Sequence, residues 1–320
     1  MADIFITDHP WPKTDLEQGL LEAAGHNLIS GPSVPAPATT IEALVRAANP
    51  SAIMTCWAMV SAAAIAAAPN LRHVARLGVG LDNIDVAAAT AHSVPVSNVP
   101  DYCFEEVSDH AIALLLALSR GLTVADRSVK SGVWLPGQAS LRRFRELTIG
   151  LVGYGRIGRC AAGKLSGFGV RLLAYTPSGA TDGVALPVTL DRLSAESDAI
   201  IIVAPLTPAS HNLFNRNRIA SMKPGSVLIN VSRGAIIDNA ALIEALSSGH
   251  LGGAGLDVID GEPDVPRDLV DRPDVIVTPH MAFSSTTAID ELRRRACEDV
   301  IRVLAGEPPL NLCNQPLVRP

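Results

Sequence analysis

Three side chains suited to acid–base and carboxylate chemistry stand at matching places in separate stretches of the chain. Arg233 follows the apolar run "VLINV", Glu262 closes "GLDVIDGE", and His280 follows "VIVTP". If each run is a strand of a doubly wound sheet, all three fall beyond its carboxyl edge, where such sheets hold their ligands. Asp257, at the end of the second run, joins them. An arginine fork grips a carboxylate through two hydrogen bonds and polarises a carbonyl beside it. A histidine exchanges a proton near neutral pH, and a carboxylate next to it favours the protonated ring. Each residue alone is unremarkable in a loop. Together they suit proton transfer at the carbonyl of a carboxylic acid.

A second pattern supplies what that chemistry needs. Gly153-Tyr154-Gly155-Arg156-Ile157-Gly158 directly follows the apolar run "LTIGLV" and opens an amphipathic stretch. In such a fingerprint the first glycine permits the tight turn and the second lets the backbone approach a pyrophosphate. The third lets helix and strand pack closely, while the helix N-terminus points unpaired N–H groups at the phosphates. The expected ligand is a dinucleotide. With a nicotinamide as hydride carrier, Arg233 as clamp and His280 as proton donor, a 2-keto acid becomes a 2-hydroxy acid. About 20 residues past the fingerprint an Asp or Glu normally holds the adenosine ribose; this chain has Thr176, with Ser178 just beyond.

The elements that must position these residues are an alternation of strands and helices. From Leu147 onward the runs "LTIGLV", "VRLLAY", "AIIIVA", "SVLINV", "GAGLDV" and "DVIVTP" read as buried strands, with "NAALIEALSSG" a plain helix ending at a glycine. The first hundred residues repeat the alternation more weakly, with strands expected at "DIFIT", "SAIMT", "HVARLGV" and "VPVSN". "DYCFEEVSDHAIALLLALSRGL" reads as one long helix joining two domains. "STTAIDELRRRACEDVIRVLAG" reads as a final helix returning the chain to the first domain. The fold class expected is α/β, with two doubly wound parallel-sheet domains. Residues 1–98 and 287–320 would form the substrate-binding domain and 99–286 a dinucleotide-binding one.

Composition fits that reading. Of 320 residues, 48% are apolar and 18% charged, enough for two cores, and a net charge of −6 offers no footprint for nucleic acid. Cys56, Cys103, Cys160, Cys297 and Cys313 are scattered without metal-like spacing and read as reduced thiols, so no metal is expected. The start "MADIFITDHPWPK" lacks signal-peptide character, and "AIALLLALS" is too short for a membrane span. A cytoplasmic protein is the expectation.

The motifs resemble the D-isomer-specific 2-hydroxyacid dehydrogenase family along nearly the whole chain. They are "RLGVGLDNIDV", "VPVSNVPDYCFEEVSDHAIALLLALSR", "TIGLVGYGRIG", "PLTPAS", "KPGSVLINVSRGAIID", "GLDVIDGEP" and "TPHMAFSS". The resemblance implies a Rossmann coenzyme domain inserted into a flavodoxin-like substrate domain. It implies Arg233 as substrate clamp, His280 as general acid/base and Glu262 as the partner of the protonated His280. Backbone N–H groups around Val79 and Gly80 would hold the substrate carboxylate, with Asn98 beside the substrate. Pro205, Thr207, Val231 and Ser232 would line the cofactor site, and Asp257 would bond the nicotinamide carboxamide. Members are typically homodimers, and "KSGVWLPG" with Trp134 resembles their pairing arm.

The likeness is strongest, in "NVPDYCFEEVSDHA", to the branch that includes the C-terminal-binding-protein corepressors, so an NAD(H)-binding adaptor is the alternative. The short stretch after the final helix argues against the long disordered tail that adaptors use. A phosphoglycerate-type dehydrogenase is a further alternative. The loop "TCWAMV" offers Cys56, Trp57 and Met59 to the substrate and no cation for a phosphate, so a small non-phosphorylated 2-keto acid is expected. Relatives that favour NAD usually carry "YDP" where this chain has Tyr175-Thr176-Pro177. An acid there repels a 2′-phosphate; Thr176 and Ser178 do not, so both NAD and NADP are expected to serve, with a slight lean to NADP.

Overall fold

The computed structural model describes residues 1–134, 136 and 141–315. The chain divides into two compact units, Met1–Tyr102 with the stretch from Ser285 onward, and Cys103–Ser284. The first unit holds a sheet of five strands: β1 (Asp3–Ile6), β2 (Asn27–Ser30), β3 (Ala52–Thr55), β4 (His73–Arg76) and β5 (Val96–Ser97). All neighbours are parallel, in the order β2-β1-β3-β4-β5, the flavodoxin-like winding. Phe5, Ile53 and Val74 on its strands pack with Ile41, Val45 and Ile65 of the covering helices.

The second unit holds seven strands: β6 (Thr148–Val152), β7 (Arg171–Tyr175), β8 (Leu186–Pro187), β9 (Ala199–Ile202), β10 (Ser226–Asn230), β11 (Leu251–Leu256) and β12 (Val275–Val277). They lie in the order β12-β11-β10-β9-β6-β7-β8, again all parallel. This is a Rossmann sheet with the order reversing between β6 and β9. Sheets covered on both faces need unbroken apolar strands. Ile200, Ile201 and Ile202 of β9 are fully buried, each stabilising the unit by about 2 kcal/mol.

The elements differ from the sequence reading in several places. The long joining helix is Phe104–Ser119, and a second helix that the sequence reading did not name, Leu122–Lys130, follows it at a 60° bend. Gly121 at the break has φ +61°, a left-handed backbone that interrupts the helix. The edge strands β2 and β8 went unread because they lack apolar runs. β2 is partly exposed, and β8 is a two-residue exposed pair ending in Pro187, tolerated at an edge because proline has no N–H to give a further neighbour. The short helices Val86–Ala91, Leu190–Glu196, Arg216–Ala220 and Arg267–Val270 were also unread. Among the described residues no single helix is long and apolar enough to cross a membrane.

Candidate active site

β11 and β12 end side by side, Leu256 pairing with Val277. The loops that follow bring Glu262 and His280 together. Glu262 Oε1 lies 2.5 Å from His280 Nδ1, and Glu262 Oε2 accepts the Ile259 N–H at 3.1 Å. Burial pushes the Glu262 carboxyl up. The hydrogen bond and charge of His280, the Ile259 N–H and the Arg233 charge outweigh it and hold the group below the usual carboxylate range. His280 itself sits at φ +50°, a left-handed conformation that a side chain with a Cβ adopts only when its surroundings enforce it.

Asp257 supplies much of that enforcement. Its side chain is 1% exposed. Oδ1 accepts the Thr278 hydroxyl at 2.6 Å and the Met281 N–H at 2.9 Å, and Oδ2 accepts the Ala282 N–H at 2.9 Å. The Asp257 carbonyl takes the His280 N–H at 2.9 Å. The carboxylate expected at the nicotinamide carboxamide is therefore already engaged inside the protein, lacing down the segment that carries His280.

Arg233 stands on a loop, three positions past the end of β10. Asn230 ties that loop: its Oδ1 accepts the Ser232 N–H at 3.1 Å and its Nδ2 donates to the Arg233 carbonyl at 2.9 Å. The Ser232 hydroxyl donates to the Ala204 carbonyl, and Arg233 Nη1 to the Ser232 carbonyl at 2.8 Å. Val231, within the loop, is buried. Pro205 and Thr207 belong to a turn after β9 that Ser210 closes on itself, its hydroxyl donating to the Pro205 carbonyl at 2.6 Å and its N–H to Thr207 Oγ1 at 3.2 Å.

The fingerprint fits a dinucleotide. Gly153 has φ +100°, and a Cβ there would meet the Ala204 nitrogen at 2.8 Å; one on Gly158 would meet the Gly153 carbonyl oxygen at 2.4 Å. At Gly155, by contrast, a Cβ would meet nothing within 4 Å. The outer two glycines are needed by the fold, while the middle one borders open space at the N-terminus of the helix Arg156–Ser166, the place for a pyrophosphate. Ile157 is half-buried and Arg156 exposed on its first turn. The Tyr154 hydroxyl donates to Asp182 at 2.6 Å, and burial with that partner pushes the phenol up. Thr176 Oγ1 and Ser178 Oγ stand 3.5 Å apart after β7. Asp182, on the same loop, is an acid that the sequence reading passed over.

The remaining expected residues lie in the first unit. Val79 is exposed, and among the described residues nothing accepts the Val79 or Gly80 N–H. Asn98 Nδ2 donates to the Val79 carbonyl at 2.5 Å, and its Oδ1 accepts from Asn311 at 2.5 Å, so it braces this loop. Arg76, buried at 6% exposure, underlies it: Nε donates to the Gly80 carbonyl at 2.8 Å and Nη1 to the Thr55 carbonyl at 3.4 Å, with a further bond to Leu77. Its guanidinium lies 5.8 Å from the Trp57 ring centre. The Trp57 N–H is held by Asp8 at 2.7 Å. One expectation fails here. Cys56 is buried, not offered to a ligand, and burial pushes its thiol up to about 12. Trp134 is exposed, while Leu135 and Gly137 of its arm lie outside the described residues.

The sequence profile described as "D-isomer specific 2-hydroxyacid dehydrogenase, NAD binding domain" matches residues 112–282. The chain belongs to this family, and its second unit is a nicotinamide-dinucleotide-binding domain. It is 41% identical over 253 residues to the D-3-phosphoglycerate dehydrogenase of Mycobacterium tuberculosis, covering 78% of this chain and 48% of that protein. The chain thus spans about half the length of those mycobacterial relatives. It is 36% identical over 263 residues to the glyoxylate reductase of Pyrococcus furiosus, covering 79% and 78%. Among solved structures it resembles the NADPH-dependent glyoxylate/hydroxypyruvate reductase of Sinorhizobium meliloti, in complex with NADP and malonate. That match has a TM-score of 0.83 and 31% identity over 97% of this chain and 96% of that one.

Proposed function

We propose that the chain is an NAD(P)-dependent oxidoreductase that reduces a small non-phosphorylated 2-keto acid to the D-2-hydroxy acid and catalyses the reverse reaction. The observation that carries this reading is the Glu262–His280 pair at 2.5 Å beside the Arg233 loop. The fingerprint N–H groups and the loops at Thr176, Ser178, Pro205, Thr207 and Ser232 would hold the dinucleotide, whose nicotinamide would supply or accept the hydride. The Arg233 guanidinium clamps the substrate carboxylate and polarises its keto oxygen. In the first unit, the Val79 and Gly80 N–H groups are suited to bind a carboxylate. Glu262 takes His280 Nδ1, which assigns the moving proton to Nε2 and stabilises the charged ring that donates it.

An uncharged substituent is supported by Arg76, whose donors already bind three carbonyls of its own unit. The likeness to phosphoglycerate dehydrogenases keeps a phosphorylated substrate as the second reading. For the cofactor, Thr176 in place of an acid supports use of both dinucleotides with a modest preference for NADPH, and Asp182 keeps that preference small. Homodimerisation is supported by Leu122, Val124, Val129 and Trp134, exposed apolar side chains on and after the helix Leu122–Lys130. A cytoplasmic location is supported by five free cysteines.

The test is a steady-state panel of glyoxylate, hydroxypyruvate, pyruvate, larger 2-keto acids and phosphohydroxypyruvate, each with NADH and with NADPH. Arg233→Ala is expected to lower kcat/KM about a hundredfold or more, the cost of removing a charge-assisted clamp. Best turnover of phosphohydroxypyruvate would favour the second reading, and a large preference for NADH would remove the cofactor lean. No turnover of any acid would point to an adaptor.

A further inference from the structure

Behind the His280 turn lies a directed chain of donors that the proposed mechanism does not use. Thr278 gives its one hydroxyl hydrogen to Asp257 Oδ1 at 2.6 Å. Its oxygen, 2.9 Å from His110 Nε2, therefore accepts from the ring. That fixes the proton of His110 on Nε2. The same nitrogen lies 3.6 Å from Asp257 Oδ1, and the imidazole is 20% exposed. His110 stands in the first half of the helix Phe104–Ser119, which packs along β10, β11 and β12. It reaches the strand ends from a different layer of the unit than any residue assigned so far.

We propose that His110 is a positioning residue for His280: its Nε2–H locks the Thr278 hydroxyl onto Asp257, and Asp257 sets the turn that presents the proton donor. The inference rests on the reading of His280 as proton donor and deepens it. His280 holds φ +50° because five hydrogen bonds link residues 278–282 to 256 and 257. A residue at such a backbone angle keeps it only while its surroundings dictate it. Without His110 the Thr278 hydroxyl loses its only ring donor among the described residues and rotates more freely, so the Asp257 carboxylate loses the fixed partner that aims it at the Met281 and Ala282 N–H groups. The acid–base pair and the glycine fingerprint are untouched, so the loss falls on the geometry of proton delivery and not on binding.

His110→Phe keeps the bulk and removes the donor, whereas His110→Gln restores an N–H near the place of Nε2. In the full-length protein, His110→Phe is expected to lower kcat for keto-acid reduction about tenfold. KM for the acid and the Kd for NADH, read by fluorescence, should stay within about twofold, and His110→Gln should recover most of kcat. Wild-type kcat in His110→Phe overturns the proposal, as does equal damage in both variants, which would mark a packing role. Wild-type protein without turnover on any 2-keto acid would overturn the underlying reading instead. The network is then judged by nitrogen NMR of the imidazoles: a His110 proton on Nε2 at neutral pH sustains it, and one on Nδ1 overturns it.

Discussion

Burial alone would raise the Glu262 carboxyl, yet His280, the Ile259 N–H and Arg233 together hold it down. Glu262 is therefore ionised across the neutral range, and the fixed negative charge favours the protonated imidazole it touches. Glu262→Gln keeps an acceptor for Nδ1 and deletes the charge. In reduction, kcat/KM at pH 7.5 should fall several-fold. An unchanged rate would mean that Glu262 only orients the ring. Arg233, Glu262 and His280 were legible because each sits just past a buried run, and a parallel sheet gathers such positions at one edge. His110, Thr278 and Arg76 were not. Their partners are brought to them by the β11–β12 register and by helix packing, and no local spacing encodes that. Cys56 was misread for the converse reason: a residue one step past β3 turns inward or outward by a backbone detail that composition does not carry.

Strands β4 and β5 show the cost of a polar group placed inside the first unit. His73 is fully buried; Nε2 lies 3.0 Å from the Ser97 hydroxyl, and Nδ1 has no partner among the described residues. Burial lowers its pKa to about 3. An unfolded histidine takes up a proton near 6.5 that folded His73 refuses until about 3. The stability this gives is whole above pH 6.5 and lost progressively as pH falls toward 3. At pH 5 the loss is about 2 kcal/mol. Ser97 also bonds Asp299, whose carboxyl burial pushes up and which titrates in the opposite sense. Comparison of wild type with His73→Gln leaves the Asp299 contribution largely in common. Urea unfolding at pH 7 and pH 5 should show the wild type losing about 2 kcal/mol more than the variant. Equal losses would mean that the buried ring is not what acid attacks. The central strands were readable as elements because burial on both faces demands continuous apolar sequence. The edge strands β2 and β8, partly or wholly exposed, carry no such demand.

The first unit is assembled from two stretches of chain with the whole second unit between them. Its closing piece is the helix Thr286–Leu304, capped by Ser285 and presenting Leu292, Ala296 and Val300 to the core. It packs along β4 and the helix Asp15–Ala23, where Arg293 pairs with the fully buried Glu17 at 2.7 Å. A chain stopped after Ser284 leaves Glu17 without that partner and β4 without its cover. Calorimetry of such a chain should retain the transition of the second unit and lose that of the first. Two undiminished transitions would show that the first unit stands without its last helix.

The same arrangement sets a timetable for a ribosome. The second unit emerges as one unbroken stretch, free to complete its sheet and its glycine turn while translation continues. The first unit must wait, with the flank of β4 bare, until the helix Thr286–Leu304 has been made. A nascent chain therefore carries a finished dinucleotide-binding fold beside an unfinished one. Chaperones that hold exposed apolar strands should find their target in the unit whose synthesis began earlier.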